Sequence, residues 1–285
     1  AGRANASRHV DGLVEMLLDA TSRADESLTT QRLHDWHAGL FPTGRSGIHR
    51  ITVAGWRQGD EPMRVVSGLP GKTNVHFEAP PSDRVPREMA GFLAWWNGET
   101  EPEDGLLRAA MAHLWFVTIH PYDDGNGRIT RAITDLALAR DEASGTRLYS
   151  MSAQIEACRA AYYAQLEHAQ RGDGDITDWL IFFLQTLQAA IADADVRLDH
   201  VLARARFWQT HGGIALNDRQ TKAVKRMLES GPGGFEGGMS TRKYASLTRT
   251  SRPTAQRELA DLVSKGLLVR LEGGGRSTAY QLVWG

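Results

Sequence analysis

The chain has 285 residues, of which 41% are hydrophobic and 24% are charged. These are ordinary values for a globular protein, and the length suits one large domain with a smaller one, or two domains. A single cysteine excludes an internal disulfide framework, and the apolar neighbours of Cys158 at helical spacing predict that it is buried. We find no signal peptide and no apolar run that would span a bilayer, so the sequence predicts a cytoplasmic protein with no membrane partner.

The near-zero net charge of −1 conceals an asymmetry along the chain. Residues 214–285 contain 12 Lys and Arg against 6 Asp and Glu, a net charge of +6, and the rest of the chain carries −7. A basic tail on an acidic body predicts two domains with separate roles, residues 1–210 and residues 214–285.

Apolar residues at helical spacing predict that most of the first domain is helical. The predicted helices are 9–20, one that Thr29 or Thr30 caps, 86–96, 106–119, one that begins near Gly127, 154–169, and a long one from 178 to about 209. Residues 64–78 break this pattern, because two short β-prone runs flank a Gly/Pro turn, and they predict a β-hairpin.

Residues 120–131, called here the signature segment, read H-P-Y-D-D-G-N-G-R-I-T-R between two of these apolar helices. Helix N-termini offer free N–H groups to anions, and glycines allow close approach, so the start of the second helix suits a phosphate. Arg128 and Arg131 share a helical face and can bind further phosphate oxygens. Asp124 is a hard oxygen ligand for Mg²⁺, and His120 can take a proton from a hydroxyl.

Each of these features has a simpler reading. A Gly-Asn-Gly run is commonly only a turn, a histidine that ends a helix can be a cap, and two arginines can be a solvated face. The number of such residues between two apolar helices favours a site for attack by a hydroxyl on a nucleotide phosphate.

The signature segment closely resembles that of the Fic family (filamentation induced by cAMP), H-x-F-x-[DE]-G-N-G-R-x-x-R, with Tyr122 where Phe is usual. The resemblance implies a mainly α fold, an all-helical Fic core with a small β-hairpin flap at residues 64–78. It implies that His120, Asn126 and Arg128 are catalytic and that Asp124 binds Mg²⁺. The nucleotide-binding residues that it implies are Gly125, Asn126, Gly127, Arg128, Arg131, Tyr162 and Tyr163, and its flap residues that hold the target are Val75, His76 and Phe77.

The resemblance further implies a protein adenylyltransferase that transfers AMP from ATP to a Ser, Thr or Tyr hydroxyl. Removal of AMP, or transfer of another phosphate-containing group, fits the same site and remains open. So does a DNA-binding regulator whose Fic body only binds nucleotide. The self-inhibitory motif [S/T]-x-x-x-E-[G/N] known in the family is absent from the sequence, so we expect an inhibitory helix upstream of Ala1 or from a partner chain. The resemblance also implies a homodimer.

In the tail, three helices near 218–228, 241–247 and 253–265 precede two strand-like runs at 267–271 and 278–283. This order resembles a winged helix-turn-helix domain, which binds DNA or docks on protein. The candidate nucleic-acid contacts are Arg249, Arg252, Arg257 and Arg276.

Three other histidines have ordinary interpretations. His34 and His37 lie three residues apart on a predicted helix, but no third metal ligand is near in sequence, so surface or half-buried histidines are favoured over a metal site. His113 is interpreted as a packing residue.

Overall fold

The computed structural model describes residues 2–60, 63–69, 72–98, 104–232, 235–271 and 278–284. Side chains are described over these ranges except at 2–9, 65–69 and 72–76. The chain forms two compact units, Ala1–Ala192 and Asp193–Gly285. The division falls within one long helix, ahead of the break that the sequence predicts at 211–213.

The first unit is mainly helical, as predicted. Its helices are α1 (Gly2–Ser22), α2 (Thr30–Leu40), α3 (Val85–Asn97), α4 (Gly105–Ile119), α5 (Asn126–Asp141), α6 (Met151–Ala157), α7 (Arg159–Arg171) and the first half of α8 (Thr177–His211). Thr29 caps α2, because its side chain accepts a hydrogen bond from the amide of Arg32 at 3.1 Å.

Among the residues of this unit that the structure describes, four short strands form two hairpins. The pair β1 (Arg45–Ser46) and β2 (His49–Arg50) was not predicted, because two-residue strands leave no periodicity to detect. The pair β3 (Arg64–Leu69) and β4 (Lys72–Glu78) is the predicted flap, and its strands are antiparallel. Val65 pairs with Phe77 and Val66 with Val75, so His76 is the extra residue of a β-bulge.

The core of the first unit holds α4 and α5 in place on either side of the signature segment. Phe92, Trp96, Phe116, Ile133 and Trp179 are almost completely buried in it. Helices α1 and α2 cross with their backbones in contact, since a Cβ added to Gly12 would lie 1.9 Å from the carbonyl oxygen of Gly39. Any side chain at Gly12 would therefore push α1 away from α2.

Three expectations need correction. The predicted helix 154–169 is divided at Cys158, whose φ of −109° and ψ of 28° leave the helical region. The cysteine is half-buried rather than buried. By length and composition alone, α8 is long and apolar enough to cross a membrane, contrary to our expectation for the sequence. Core helices have the same composition, and α8 buries Trp179 and Phe183.

The second unit has its own core around Phe207, Tyr244 and Leu259. Its elements are α9 (Asp218–Glu229), β5 (Met239–Ser240), α10 (Thr241–Thr248), α11 (Arg252–Ser264), β6 (Leu268–Arg270) and β7 (Ala279–Leu282). The three predicted helices and two strands are thus present, and β7 lies between β6 and the unpredicted β5. Ser240 caps α10, and Gly266, at φ 76°, follows α11.

Candidate functional site

His120 ends α4 in a left-handed conformation, with φ 51° and ψ 58°. Its ring Nδ1 lies 3.2 Å from the carbonyl oxygen of Val117. A carbonyl only accepts, so Nδ1 carries the hydrogen and Nε2 keeps a free lone pair. Burial, with a smaller contribution from the charge of Arg57, lowers the pKa of His120 to about 4, against the opposing effects of Val117 and Asp124. The imidazole is therefore neutral at pH 7 and can act as a base.

The side chain of Asn126 closes the turn that follows His120. Its Oδ1 accepts a hydrogen bond from the amide of Tyr122 at 2.9 Å, and its Nδ2 donates to the carbonyl of Tyr122 at 2.7 Å. The side chain is 2% exposed, so both of its polar atoms are used in shaping the loop. The backbone N–H of Asn126 is the part of this residue that remains for an anion.

Helix α5 begins at Asn126, directly after Gly125. Gly125 has a φ of 86°, and a Cβ at this position would lie 2.8 Å from the ring of Phe41, so only glycine fits. The amides of Arg128 and Ile129 both bond to the carbonyl of Gly125 at 3.0 Å. Helix geometry leaves the preceding amides, those of Asn126 and Gly127, without an intrahelical acceptor, and this end of the helix favours negative charge.

Asp124 lies at the outer side of the same turn, with 43% of its side chain exposed. Its carboxylate accepts hydrogen bonds from the hydroxyl of Ser46 and from the amide of Gly125 at 2.5 Å, and Arg128 lies 3.5 Å away. Over the described ranges, no three His, Cys, Asp or Glu side chains form a group that could hold a metal. One exposed carboxylate suits Mg²⁺ that takes its other ligands from phosphates and water.

The two arginines of the signature segment have different surroundings. The guanidinium of Arg128 lies 4.7 Å from the ring centre of Phe41 and close to Asp124. Arg131 instead lines a cavity of about 130 Å³ beside His120. The two guanidinium groups can therefore bind different parts of one ligand.

This cavity brings several of the predicted site residues together. It is lined by Phe77, Val117, His120, Gly127, Arg131, Tyr162, Tyr163, Leu166, Glu167 and Gln170. Glu167 and Gln170 were missed, because polar residues on an amphipathic helix look like a solvated face. Gln170 donates from Nε2 to the hydroxyl of Thr118 at 3.1 Å, and this hydrogen bond fixes the orientation of its side-chain amide, including Oε1. Since ligand pockets usually exceed about 300 Å³, only part of a nucleotide fits inside.

A buried chain of hydrogen bonds fixes Tyr162 in the cavity wall. The hydroxyl of Thr134 donates to the carbonyl of Thr130 at 2.9 Å, so it accepts from Nδ1 of His113 at 2.8 Å. Nε2 of His113 then accepts from the Tyr162 hydroxyl at 2.9 Å. Burial lowers the pKa of His113 to about 3 and raises that of Tyr162. His113 is packed, as predicted, and it also orients Tyr162.

Tyr122, the departure from the usual Phe, is completely buried. Its hydroxyl lies 3.0 Å from Nδ1 of His34, and its ring stacks on His37 at 4.1 Å. His37 accepts from the amide of Ala54 at Nδ1 and donates from Nε2 to the carbonyl of Asp124. Burial lowers the pKa of both histidines, so they are neutral at pH 7 when they contact and support the signature segment.

Arg57 is a further site residue that the sequence did not indicate, since no motif or periodicity surrounds it. Its side chain is directed into the signature segment, where Nε donates to the carbonyl of His120 at 2.8 Å. Only the tertiary structure brings the two residues together.

The other predicted site residues either do not line the cavity beside His120 or fall outside the residues that the structure describes. Val75 and His76 lie on β4 of the flap, and only their backbone is described. Arg249, Arg252 and Arg257 are exposed where α10 ends and α11 begins. Arg276 falls in 272–277, outside the described residues.

Comparison with known proteins agrees with this geometry. Residues 27–138 match the model of the Fic/DOC family. The chain carries a Fic/DOC domain. A Fic family protein from Desulfovibrio desulfuricans G20 has the same fold, with a TM-score of 0.52, 23% identity, and coverage of 95% of this chain and 74% of that one.

Two curated relatives align with parts of the chain. A protein adenylyltransferase fic-1 from Caenorhabditis briggsae is 38% identical over 90 residues, 31% of this chain and 17% of that protein. A uridine 5'-monophosphate transferase from Xanthomonas campestris pv. campestris (strain 8004) is 27% identical over 128 residues, 39% of this chain and 24% of that protein. The match thus spans less than a quarter of either relative's length.

Proposed function

We propose that this protein is a nucleotidyltransferase that transfers AMP from ATP to a hydroxyl side chain of a target protein. The observation that carries the proposal is the cavity that joins His120, Gly127, Arg131, Tyr162 and Tyr163. A base, an anion-binding helix end, a cation and two aromatic rings are the groups that this reaction needs. The names of the relatives, one an adenylyltransferase and one a uridine monophosphate transferase, support nucleotidyl transfer.

In the proposed reaction, Nε2 of His120 takes the proton of the target hydroxyl. The hydroxyl oxygen attacks the α-phosphorus, a new P–O bond forms, and the bond to the β-phosphate oxygen breaks to release pyrophosphate. Arg128 and Arg131, with the amides of Asn126 and Gly127, stabilise the charge on the phosphates. Mg²⁺ on Asp124 would supply further positive charge at the phosphates. The flap, with Phe77 at the cavity, would hold the target chain by strand addition.

Label transfer tests the proposal directly. Wild type, His120→Ala and the control His168→Ala, an exposed histidine outside the cavity, would be incubated with Mg²⁺ and ATP labelled on the α- or γ-phosphate, or α-labelled UTP. Self-labelling would be scored first, and then the labelling of a cell lysate. We expect α-label from ATP to be transferred by wild type and the control, and the rate to fall about 10²–10⁴-fold in His120→Ala.

Other outcomes select among the remaining activities. Transfer of the UTP label alone would indicate uridylylation, and transfer of the γ-label would indicate a kinase-like orientation of the nucleotide. Release of AMP from a modified target would indicate the reverse reaction. An undiminished rate in His120→Ala would exclude this histidine as the base.

A second candidate function is DNA binding by the smaller unit, which we propose on the arrangement of its arginines. Arg249, Arg252 and Arg257 are exposed at the start of α11, and none of them forms an ion pair with another described residue. In a winged helix-turn-helix, this is the end of the helix that enters the major groove.

Fluorescence anisotropy with a labelled duplex between 50 and 200 mM salt tests DNA binding. We expect affinity to fall linearly on a logarithmic plot, and the slope to decrease by about 1 for each phosphate-binding arginine removed in Arg252→Ala and Arg257→Ala. Arg226→Ala, an exposed arginine paired with Glu229 on α9, is the matched control. Absence of binding at 50 mM salt would leave protein docking as the role of this unit.

A further inference from the structure

Arg57 holds three successive carbonyl groups of the signature segment and its preceding helix. Its Nε donates to the carbonyl of His120 at 2.8 Å, and its Nη2 reaches that of Ile119 at 3.4 Å. Its own backbone amide donates to the carbonyl of Pro121 at 2.8 Å. Nη2 also donates to the carbonyl of Pro80, two residues after the flap ends. One residue thus joins the end of the flap to the loop that carries the base.

The burial of Arg57 is costly and requires an explanation. The residue is 4% exposed, and within the described residues it forms no ion pair. Buried arginines usually have a carboxylate partner, because removing a charge from water is expensive. Burial lowers the pKa of Arg57, although Asp123 opposes this effect, and a guanidinium stays protonated at neutral pH. The cation is therefore stabilised mainly by carbonyl dipoles, with the charge of Asp123 nearby but no ion pair to it, which is an expensive way to stabilise a fold.

The conformation of His120 explains why the carbonyl groups around it need to be fixed by Arg57. His120 has a φ of 51°, and a residue other than glycine persists there only when its surroundings fix it. Arg57 binds the carbonyls before, at and after this residue. The fork of the guanidinium suits this task, since it can donate to several oxygens in fixed directions.

We propose that Arg57 is a positioning residue for the transfer reaction, which fixes the main chain of His120 and ties it to the end of the flap. This inference rests on the proposed function. Arg57 is 4% exposed and does not line the cavity, so its side chain offers the nucleotide almost no surface to contact. Its loss would therefore misplace Nε2 of His120 without removing a group that binds nucleotide, and a displacement of about 1 Å can cost about 10²-fold in rate.

The test compares Arg57→Lys and Arg57→Met with Arg84→Met as the control. Arg84 is an exposed arginine that pairs with Glu88 and touches no part of the signature segment. We would measure kcat for α-label transfer, the nucleotide Kd by titration calorimetry, and the thermal midpoint. We expect Arg57→Met to lower kcat about 10²-fold with a Kd within twofold of wild type, Arg57→Lys to restore part of kcat, and the control to match wild type.

The tautomer of the His120 imidazole is a measurement that tests this inference separately from the proposed function. In wild type, ¹⁵N NMR should report His120 as the single Nδ1–H tautomer that donates to Val117, with His120→Ala providing the assignment. Arg57→Met should give a mixture of tautomers, whether or not the protein transfers a label. An unchanged kcat and tautomer in a folded variant would overturn the inference, and so would equal losses of kcat, nucleotide affinity and thermal stability. If Arg57→Met does not fold, Arg57→Lys carries the same comparison.

Discussion

At the scale of single residues, the surroundings of His120, rather than the chemistry of imidazole alone, suit it to the proposed role of base. The side chain is desolvated, and Arg57 adds a positive charge nearby, so the proton is lost well below neutral pH. A base with a low pKa is available at every physiological pH, but it accepts a proton less strongly than an unperturbed imidazole. In the proposed reaction, electrostatic stabilisation by the arginines and the helix end would therefore supply much of the rate enhancement.

The pH dependence of transfer follows from this shift. In the free enzyme, the pKa of His120 is lowered from 6.5 to about 4, so its neutral form dominates down to about pH 5. We therefore expect kcat/KM to fall only below that pH. The profile of kcat/KM for α-label transfer would be measured from pH 4.5 to 9, with circular dichroism as a control for folding. A half-maximal rate near pH 6.5 would contradict a buried, neutral His120.

Single residues also separate what sequence can predict at this site from what it cannot. His120, Asp124 and Gly125 lie within one short segment, so their spacing alone indicated the chemistry. Asn126 was predicted to bind phosphate, and the sequence did not show that its side-chain amide bonds to the main chain of Tyr122, a contact that forms only when the loop closes. Arg57 lies 63 residues from its partner His120, and no local pattern reveals such a contact.

At the scale of elements, a buried carboxylate holds helices α9, α10 and α11 of the smaller unit together. Glu258 on α11 accepts hydrogen bonds from Arg219 on α9, Asn217 at the cap of α9, and Tyr244 on α10. The residue is 8% exposed, and the hydrogen bond from Arg219 is the main cause of its lowered pKa. The orientation of α11, and of the arginines at its start, depends on this group.

Replacement of Glu258 by Gln should destabilise the smaller unit by about 1–3 kcal/mol, because a buried charged hydrogen bond is lost. Urea denaturation, monitored by hydrogen exchange of the α9–α11 amides, would measure the loss of stability. Glu229→Gln, which alters an exposed carboxylate, is the control. Because the folded pKa of Glu258 is lowered, the stabilisation is present above the unfolded pKa of about 4.3 and disappears as pH falls through the folded value. Equal stability of the two variants would show that Glu258 is dispensable.

At the scale of the whole molecule, helices were predictable where apolar residues recur over several turns. That signal identified α8 and all three helices of the smaller unit, together with the mainly helical fold. It missed β1, β2 and β5, which are two residues long and are defined by pairing rather than by pattern. It also merged α6 and α7, because apolar spacing continues across Cys158 while the backbone does not.

The pair formed by Tyr122 and His34 has a consequence for the comparison of related chains. A phenylalanine at position 122 would fill the same space but leave Nδ1 of His34 without its hydroxyl partner, at the edge of a buried aromatic cluster. The two positions, 88 residues apart, are therefore under one shared constraint. In relatives with phenylalanine at the position of Tyr122, we expect an apolar residue at the position of His34. The residue type at this position of the signature segment therefore predicts a residue on the distant helix α2.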